Sequence, residues 1–117
     1  MKYLFFIVIT FFSIIVQASD FCQNLNNEIE DEKIYFAIPL ETYQVIGKGR
    51  LYFYSAPDKE CKISNNLFIT PNDIVMPYFE YNNYYYVGYI KSLDISGWVY
   101  KNRLQPTGKY LGPTADK

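Results

Sequence analysis

The sequence contains no histidine, and it has only two cysteines and one tryptophan in 117 residues. Without histidine there is no Ser-His or Cys-His nucleophile pair and no imidazole ligand for a metal. Eleven lysines and arginines nearly balance twelve aspartates and glutamates. The sequence therefore lacks the excess of positive charge that is typical of nucleic-acid-binding domains. The length leaves room for one domain of ordinary size. These absences favour a non-catalytic protein that uses no metal or other cofactor and binds no nucleic acid.

The N-terminus has the three-part plan of a secretory signal peptide. Lys2 supplies a positive start, residues 3–16 form an uncharged apolar run, and residues 16–18 (Val-Gln-Ala) place small residues at a cleavage site. The apolar run is shorter than the roughly 20 residues of a membrane-spanning helix. Ser19 stands where a lipoprotein would have cysteine. We therefore predict a signal peptide over residues 1–18 and a periplasmic or secreted mature chain without a lipid or a membrane span.

Export gives the two cysteines a structural meaning. Cys22 and Cys61 both remain after cleavage, and in an oxidising compartment a single pair has one intramolecular connectivity. The bridge would close a loop of about 40 residues and stabilise the fold by roughly 4 kcal/mol in the chain-entropy estimate. The alternative, a reactive thiol, lacks CxxC spacing and a histidine. We predict a disulfide.

From residue 42 onward, short apolar and aromatic runs alternate with turn residues at intervals of about ten residues. This pattern is typical of an all-β fold, and we predict a small barrel of five to six strands over residues 42–105. We predict an extended N-terminal arm over residues 19–41, with an edge strand near its end, and a flexible tail over residues 106–117. We predict a loop over residues 91–96. No helical periodicity of useful length occurs, although Leu25 and Ile29 allow one short turn.

Alternation along the strands assigns side chains to two faces. The aliphatic or core face is set by Leu51, Phe53, Val87 and Val99. Six aromatic side chains are out of phase with that face and are predicted to face solvent: Tyr52, Tyr54, Tyr84, Tyr86, Trp98 and Tyr100. Tyrosine and tryptophan provide large, stiff, amphipathic contact areas, so these six are the candidate partner-binding residues. The open alternative is that they pair across strands or pack under the N-terminal arm.

Four blocks of sequence, in order, resemble a bacterial SH3-like domain. They are residues 51–58 (LYFYSAPD), 72–75 (NDIV), 83–89 (NYYYVGY), and 97–99 (GWV) followed by Arg103 and Leu104. The resemblance covers residues 43–104. It implies a partly open SH3-like barrel with a short 3₁₀ turn near its end. It also implies a binding module for cell-wall peptides or proteins that has no catalysis of its own.

Two functions follow as alternatives. The first is an inhibitor or immunity-type protein that binds another extracytoplasmic protein, since the sequence carries no catalytic domain for the module to target. The second is a cell-wall module that holds peptidoglycan peptides, as the resemblance implies. Catalysis is not expected, because the loop carboxylates Asp58 and Asp73 suit turns. We expect a monomer.

Overall fold

The computed structural model describes residues 20–111 of the chain. The signal peptide predicted over residues 1–18 lies outside the described residues. Within them, helix α1 (residues 20–28) precedes the strands, and 3₁₀ turns occupy Lys59–Cys61 and Lys101–Arg103. The strands are β1 (Ile34–Tyr35), β2 (Leu40–Val45), β3 (Leu51–Tyr52), β4 (Phe68–Ile69), β5 (Ile74–Tyr81), β6 (Tyr84–Tyr89), β7 (Ser92–Tyr100) and β8 (Leu104–Leu111). The prediction of an all-β fold is confirmed.

The strands form one large antiparallel sheet and one small sheet. The large sheet has the order β7-β6-β5-β2-β8, with β1 added to β5 beside β2, and β3 and β4 pair separately. Strands β7 and β8 stand at opposite ends of this order. The described strands therefore make an open sheet, and the predicted barrel is not closed.

The hairpin between β5 and β6 fixes the register of the central strands. Its two-residue turn, Asn82-Asn83, has positive φ at both positions, 51° and 67°, as a type I′ turn requires. This turn matches the right-handed twist of the flanking strands and favours asparagine. The register continues into β7, where Tyr86 lies opposite Trp98. Every second side chain of β6 and β7 is thereby directed to the same face of the sheet.

The aliphatic core lies on one face of the sheet. Its buried members are Val45, Leu51, Phe53, Ile69, Val75, Val87, Val99 and Leu104. All four side chains predicted to set the core face are in this cluster, because strand alternation separates them from their aromatic neighbours.

The N-terminal segment differs from the predicted extended arm, because residues 20–28 are helical. A helix this short is marginal in water and depends on tertiary packing. Leu25 and Ile29, one turn apart, pack against aromatic side chains of the sheet. The local pattern of apolar residues does not predict this helix, because the surface that stabilises it is formed by residues far away in the sequence. After the helix, β1 pairs with β5 as an edge strand.

Two further segments are strand where a tail and a loop were expected. Residues 106–111 belong to β8, which pairs with β2 as far as Leu40 opposite Leu111. Pro106 is tolerated because β8 is an edge strand. Residues 92–96 belong to β7, which pairs with β6 across an irregularity between Gly88 and Tyr89. The irregularity accommodates the turn-forming residues of the segment 91–96, which were predicted to form a loop.

The predicted disulfide is confirmed. Cys22 in α1 is bonded to Cys61, and their Cα atoms are 5.8 Å apart. Cys61 ends a 3₁₀ turn whose N-cap is Asp58, since the Asp58 carboxylate accepts a hydrogen bond from the Glu60 amide at 2.8 Å. The bridge therefore ties the helix to an ordered turn. Within residues 20–111, no helix is long and apolar enough to cross a bilayer.

Candidate functional site

The six predicted aromatic residues lie on the opposite side of the strands from the aliphatic core, but they are not all exposed. Tyr54, Tyr84 and Trp98 are buried, and Tyr52, Tyr86 and Tyr100 are partly buried. The expectation that all six face solvent was therefore wrong for Tyr54, Tyr84 and Trp98. The physical reason is the segment of α1 and the turn directly after it, because Leu25 of α1 packs against this cluster and Ile29, the first residue after α1, is a buried member of it with 3% exposure. This alternative was open at the level of sequence, and three of the six follow it.

Three of the tyrosines form a packed cluster beneath the helix. The Tyr84 ring lies 4.8 Å from the Tyr100 ring and 5.6 Å from the Tyr54 ring. The Tyr54 hydroxyl donates a hydrogen bond to the Tyr100 hydroxyl at 3.5 Å. Burial, together with hydrogen bonding to Tyr100, raises the pKa of Tyr54 and Tyr84 above the ordinary value. These hydroxyls stay neutral in the fold, and the cluster serves packing.

A recess opens between α1 and the sheet beside this cluster. Its volume is about 270 Å³. Seven residues line it, three of them aromatic: Asn26, Glu30, Lys33, Ser55, Phe79, Tyr86 and Trp98. We call it the helix recess. Phe79 stacks on Tyr86 with 4.8 Å between ring centroids and 10° between planes, and Trp98 meets Phe79 edge-on at 5.3 Å.

Polar groups from the N-terminal segment form the rim of the helix recess. The Lys33 ammonium lies 4.2 Å from the centroid of the Phe79 ring and 3.2 Å from a Glu30 carboxylate oxygen. The Asn26 amide donates to the Ser55 carbonyl at 2.7 Å. The volume lies just below the range of about 300–1,000 Å³ that suits drug-sized ligands. An aromatic wall with a polar rim at this size suits one inserted side chain.

A second surface lies on β3 and β4. Tyr52 and Phe68 are opposite one another across the two strands, with ring centroids 6.0 Å apart. The Lys62 ammonium sits over Tyr52 at 4.3 Å, and the Arg50 guanidinium sits over Phe68 at 4.3 Å. We call these four residues the basic–aromatic patch. Both rings are partly buried and both cations are exposed.

Sequence reasoning missed Phe79, which forms the centre of the wall of the helix recess. Val75 and Pro77 are buried in β5, and strict alternation would place Phe79 on their face. A register shift between Pro77 and Phe79 turns Phe79 to the other face, where it packs with Trp98. The signal that could have found it is Pro77, because a proline inside a central strand is confined to bulges.

The carboxylates considered at the level of sequence have local roles. Asp58 caps a 3₁₀ turn, and the Asp73 carboxylate accepts a hydrogen bond from the Thr70 amide at 2.8 Å. In the range 20–111, no group of three or more His, Cys, Asp or Glu side chains is placed to hold a metal ion.

Both surfaces thus combine aromatic rings with charged groups, and both present side chains from separate parts of the chain. What they offer chemically is contact area, ring faces and cations. No protein-family model matches the chain, and no curated protein and no solved structure matches it.

Proposed function

We propose that the chain is an exported, non-catalytic binding module of the inhibitor or immunity type, which recognises another extracytoplasmic protein. The helix recess is the observation that carries this proposal. Its stacked pair, Phe79 and Tyr86, lines a recess of about 270 Å³ with Trp98 behind them. Binding energy in protein interfaces concentrates in a few residues that fill well-packed pockets. The recess offers such a pocket to one anchoring side chain of a partner.

The walls of the helix recess are held in place before a partner arrives. The disulfide ties α1 to the turn at Cys61, and Ile29 packs the end of the helix segment onto the sheet. Each ring of the wall contacts the other two, at centroid distances of 4.8 to 5.6 Å. A preorganised site loses less conformational entropy on binding. The rigid wall therefore supports the proposed recognition of a partner.

Support for the compartment comes from the disulfide and from the N-terminal pattern. Disulfides persist mainly in oxidising compartments, and residues 1–18 read as a signal peptide. We expect the mature protein to begin at Ser19 and to lack a lipid. Intact-mass measurement of the exported protein tests this, since retention of residues 1–18 or an acyl group on Cys22 would contradict it.

The second candidate is a cell-wall module that holds peptidoglycan stem peptides. The four SH3-like blocks in residues 51–104 favour it. Two assays separate the candidates. The immobilised, disulfide-bonded chain is incubated with an extract of exported proteins, and the same chain is sedimented with purified cell walls. Under our proposal, the immobilised chain retains one protein in stoichiometric amount, and the chain does not sediment with the cell walls.

A variant that fills the recess tests the site. Ser55 is exposed and lines the helix recess, so Ser55→Tyr places a ring there. Lys91→Tyr is the control, since Lys91 is exposed in the turn before β7. Thermal melting first checks that both variants are folded. We then expect the Ser55→Tyr variant to retain at least tenfold less partner than the parent chain, and the Lys91→Tyr variant to retain as much as the parent chain. Co-sedimentation with cell walls, or equal capture by both variants, would overturn the proposal.

A further inference from the structure

The four side chains of the basic–aromatic patch form a row. Lys62 lies over Tyr52, Tyr52 packs edge-to-face with Phe68, and Arg50 lies over Phe68. Two cations therefore bracket an aromatic pair on one surface. Each cation is held over a ring face by attraction to the ring quadrupole, which positions it without neutralising its charge.

Among residues 20–111, neither cation of the row has an acidic partner. In the part of the chain that the structure describes, the two ion pairs are Lys33 with Glu30 and Lys101 with Glu80. The Lys62 ammonium donates to the neutral Asn65 side chain at 3.1 Å. Arg50 has no carboxylate within 4 Å among the described residues. An exposed guanidinium and an exposed ammonium thus keep hydrogen-bond donors free for an external acceptor.

We infer that the basic–aromatic patch binds an acidic segment of the protein partner. Carboxylates of the segment pair with Arg50 and Lys62, and an apolar side chain between them contacts the rings of Tyr52 and Phe68. This inference rests on the proposed function, because it names the chemistry of that partner. It assigns the patch a role separate from the helix recess, since its four residues are not among those that line the recess.

The number of cations favours a protein segment over an anionic polymer or membrane. Recognition of anionic lipid surfaces relies on clusters of about four to eight lysines and arginines. The patch has two, and the chain as a whole carries a formal charge of −1. A short segment with alternating acidic and apolar residues matches both parts of the patch.

The test is a titration followed by NMR. The ¹⁵N-labelled, disulfide-bonded chain is titrated with a peptide of alternating Glu and Leu, and separately with the matched peptide of alternating Gln and Leu. A third titration uses phosphatidylglycerol vesicles. We expect the Glu peptide, added up to millimolar concentration, to shift the amide signals of residues 50–54 and 62–69. High salt should weaken this binding, because it screens the charges. We expect the Gln peptide and the vesicles to leave those signals in place.

Charge-neutralising variants complete the test. Arg50→Gln and Lys62→Gln should each weaken binding of the Glu peptide by about two- to fivefold, the effect of losing an exposed ion pair. Lys91→Gln is the matched control and should bind as the parent chain does. Equal binding of the Gln peptide, binding of the vesicles instead, no shift with the Glu peptide, or unchanged affinity in both patch variants would overturn the inference. None of these outcomes affects partner capture through the recess, which the Ser55→Tyr variant tests separately.

Discussion

Truncating Ile29 tests whether α1 is an integral part of the fold. The side chain is 3% exposed and belongs to the cluster of Tyr54, Tyr84 and Trp98. Ile29→Ala removes three carbon atoms at about 0.8 kcal/mol each, or roughly 2.5 kcal/mol before any cavity cost. Measured losses for isoleucine to alanine in cores are about 2–5 kcal/mol. We therefore expect a loss of about 2.5–3.5 kcal/mol, a large share of the roughly 5–10 kcal/mol of a domain this size.

The assay is urea unfolding monitored by the fluorescence of Trp98, which is the single tryptophan of the chain. Trp98 is 2% exposed in the same cluster, so its emission reports on the surface that Ile29 covers. Ile34→Ala is the matched control, because Ile34 in β1 is 66% exposed and its truncation should cost less than about 0.5 kcal/mol. If the two variants unfold at the same urea concentration, α1 does not seal the tyrosine face and the reasoning fails.

Three other perturbations have defined outcomes. Reducing the disulfide, or the Cys61→Ala change, should cost about 2–4 kcal/mol in urea unfolding, whereas titration of two free thiols in the exported protein would contradict the bridge. Burial beside Tyr85 raises the pKa of Tyr43 to about 12, above its unfolded value near 10. The contribution of neutral Tyr43 to stability is complete below pH 10 and is lost as the pH rises to 12. Between pH 9 and 12, the urea midpoint of the Tyr43→Phe variant should therefore fall less steeply than that of the parent chain. Gly47→Ala and Gly49→Ala both force alanine to positive φ, but a Cβ at Gly47 would also lie 2.7 Å from the Arg103 side chain. Thermal melting should find Gly47→Ala the less stable by about 1 kcal/mol or more, and equal melting temperatures would exclude the clash.

The parts of the fold that follow local rules could be predicted from the sequence. The asparagine pair at residues 82–83 supplies the positive φ values of a tight hairpin turn. Side-chain alternation then separates Val87 and Val99 from Tyr84 and Trp98, and the clusters of the structure keep them apart. The pairing of Cys22 with Cys61 needed no geometry, since only one pairing was available.

The parts that depend on distant contacts could not be predicted. The helix at residues 20–28 is stable because a sheet formed by residues 74–100 offers it an aromatic surface, and no local pattern contains that surface. Phe79 reaches the helix recess through a bulge beside Pro77, and that proline signals a bulge only once β5 is known to be a central strand. The basic–aromatic patch needs Arg50 and Lys62 on either side of two rings from different strands, and only the β3–β4 pairing brings these rings together. Spatial sites assembled from separate segments are therefore the hardest to infer from one chain.

The position of β6 and β7 between two apolar layers has a consequence for which substitutions the chain can accept. An antiparallel strand with one wet face tolerates polar replacements at every second position. Residues 84–89 and 95–100 contain no exposed position, because the aliphatic core covers one face and the helix with its aromatic cluster covers the other. Sequence drift in these strands is restricted at consecutive positions. In β8, by contrast, six of eight residues are exposed, so neutral variation should accumulate along that edge.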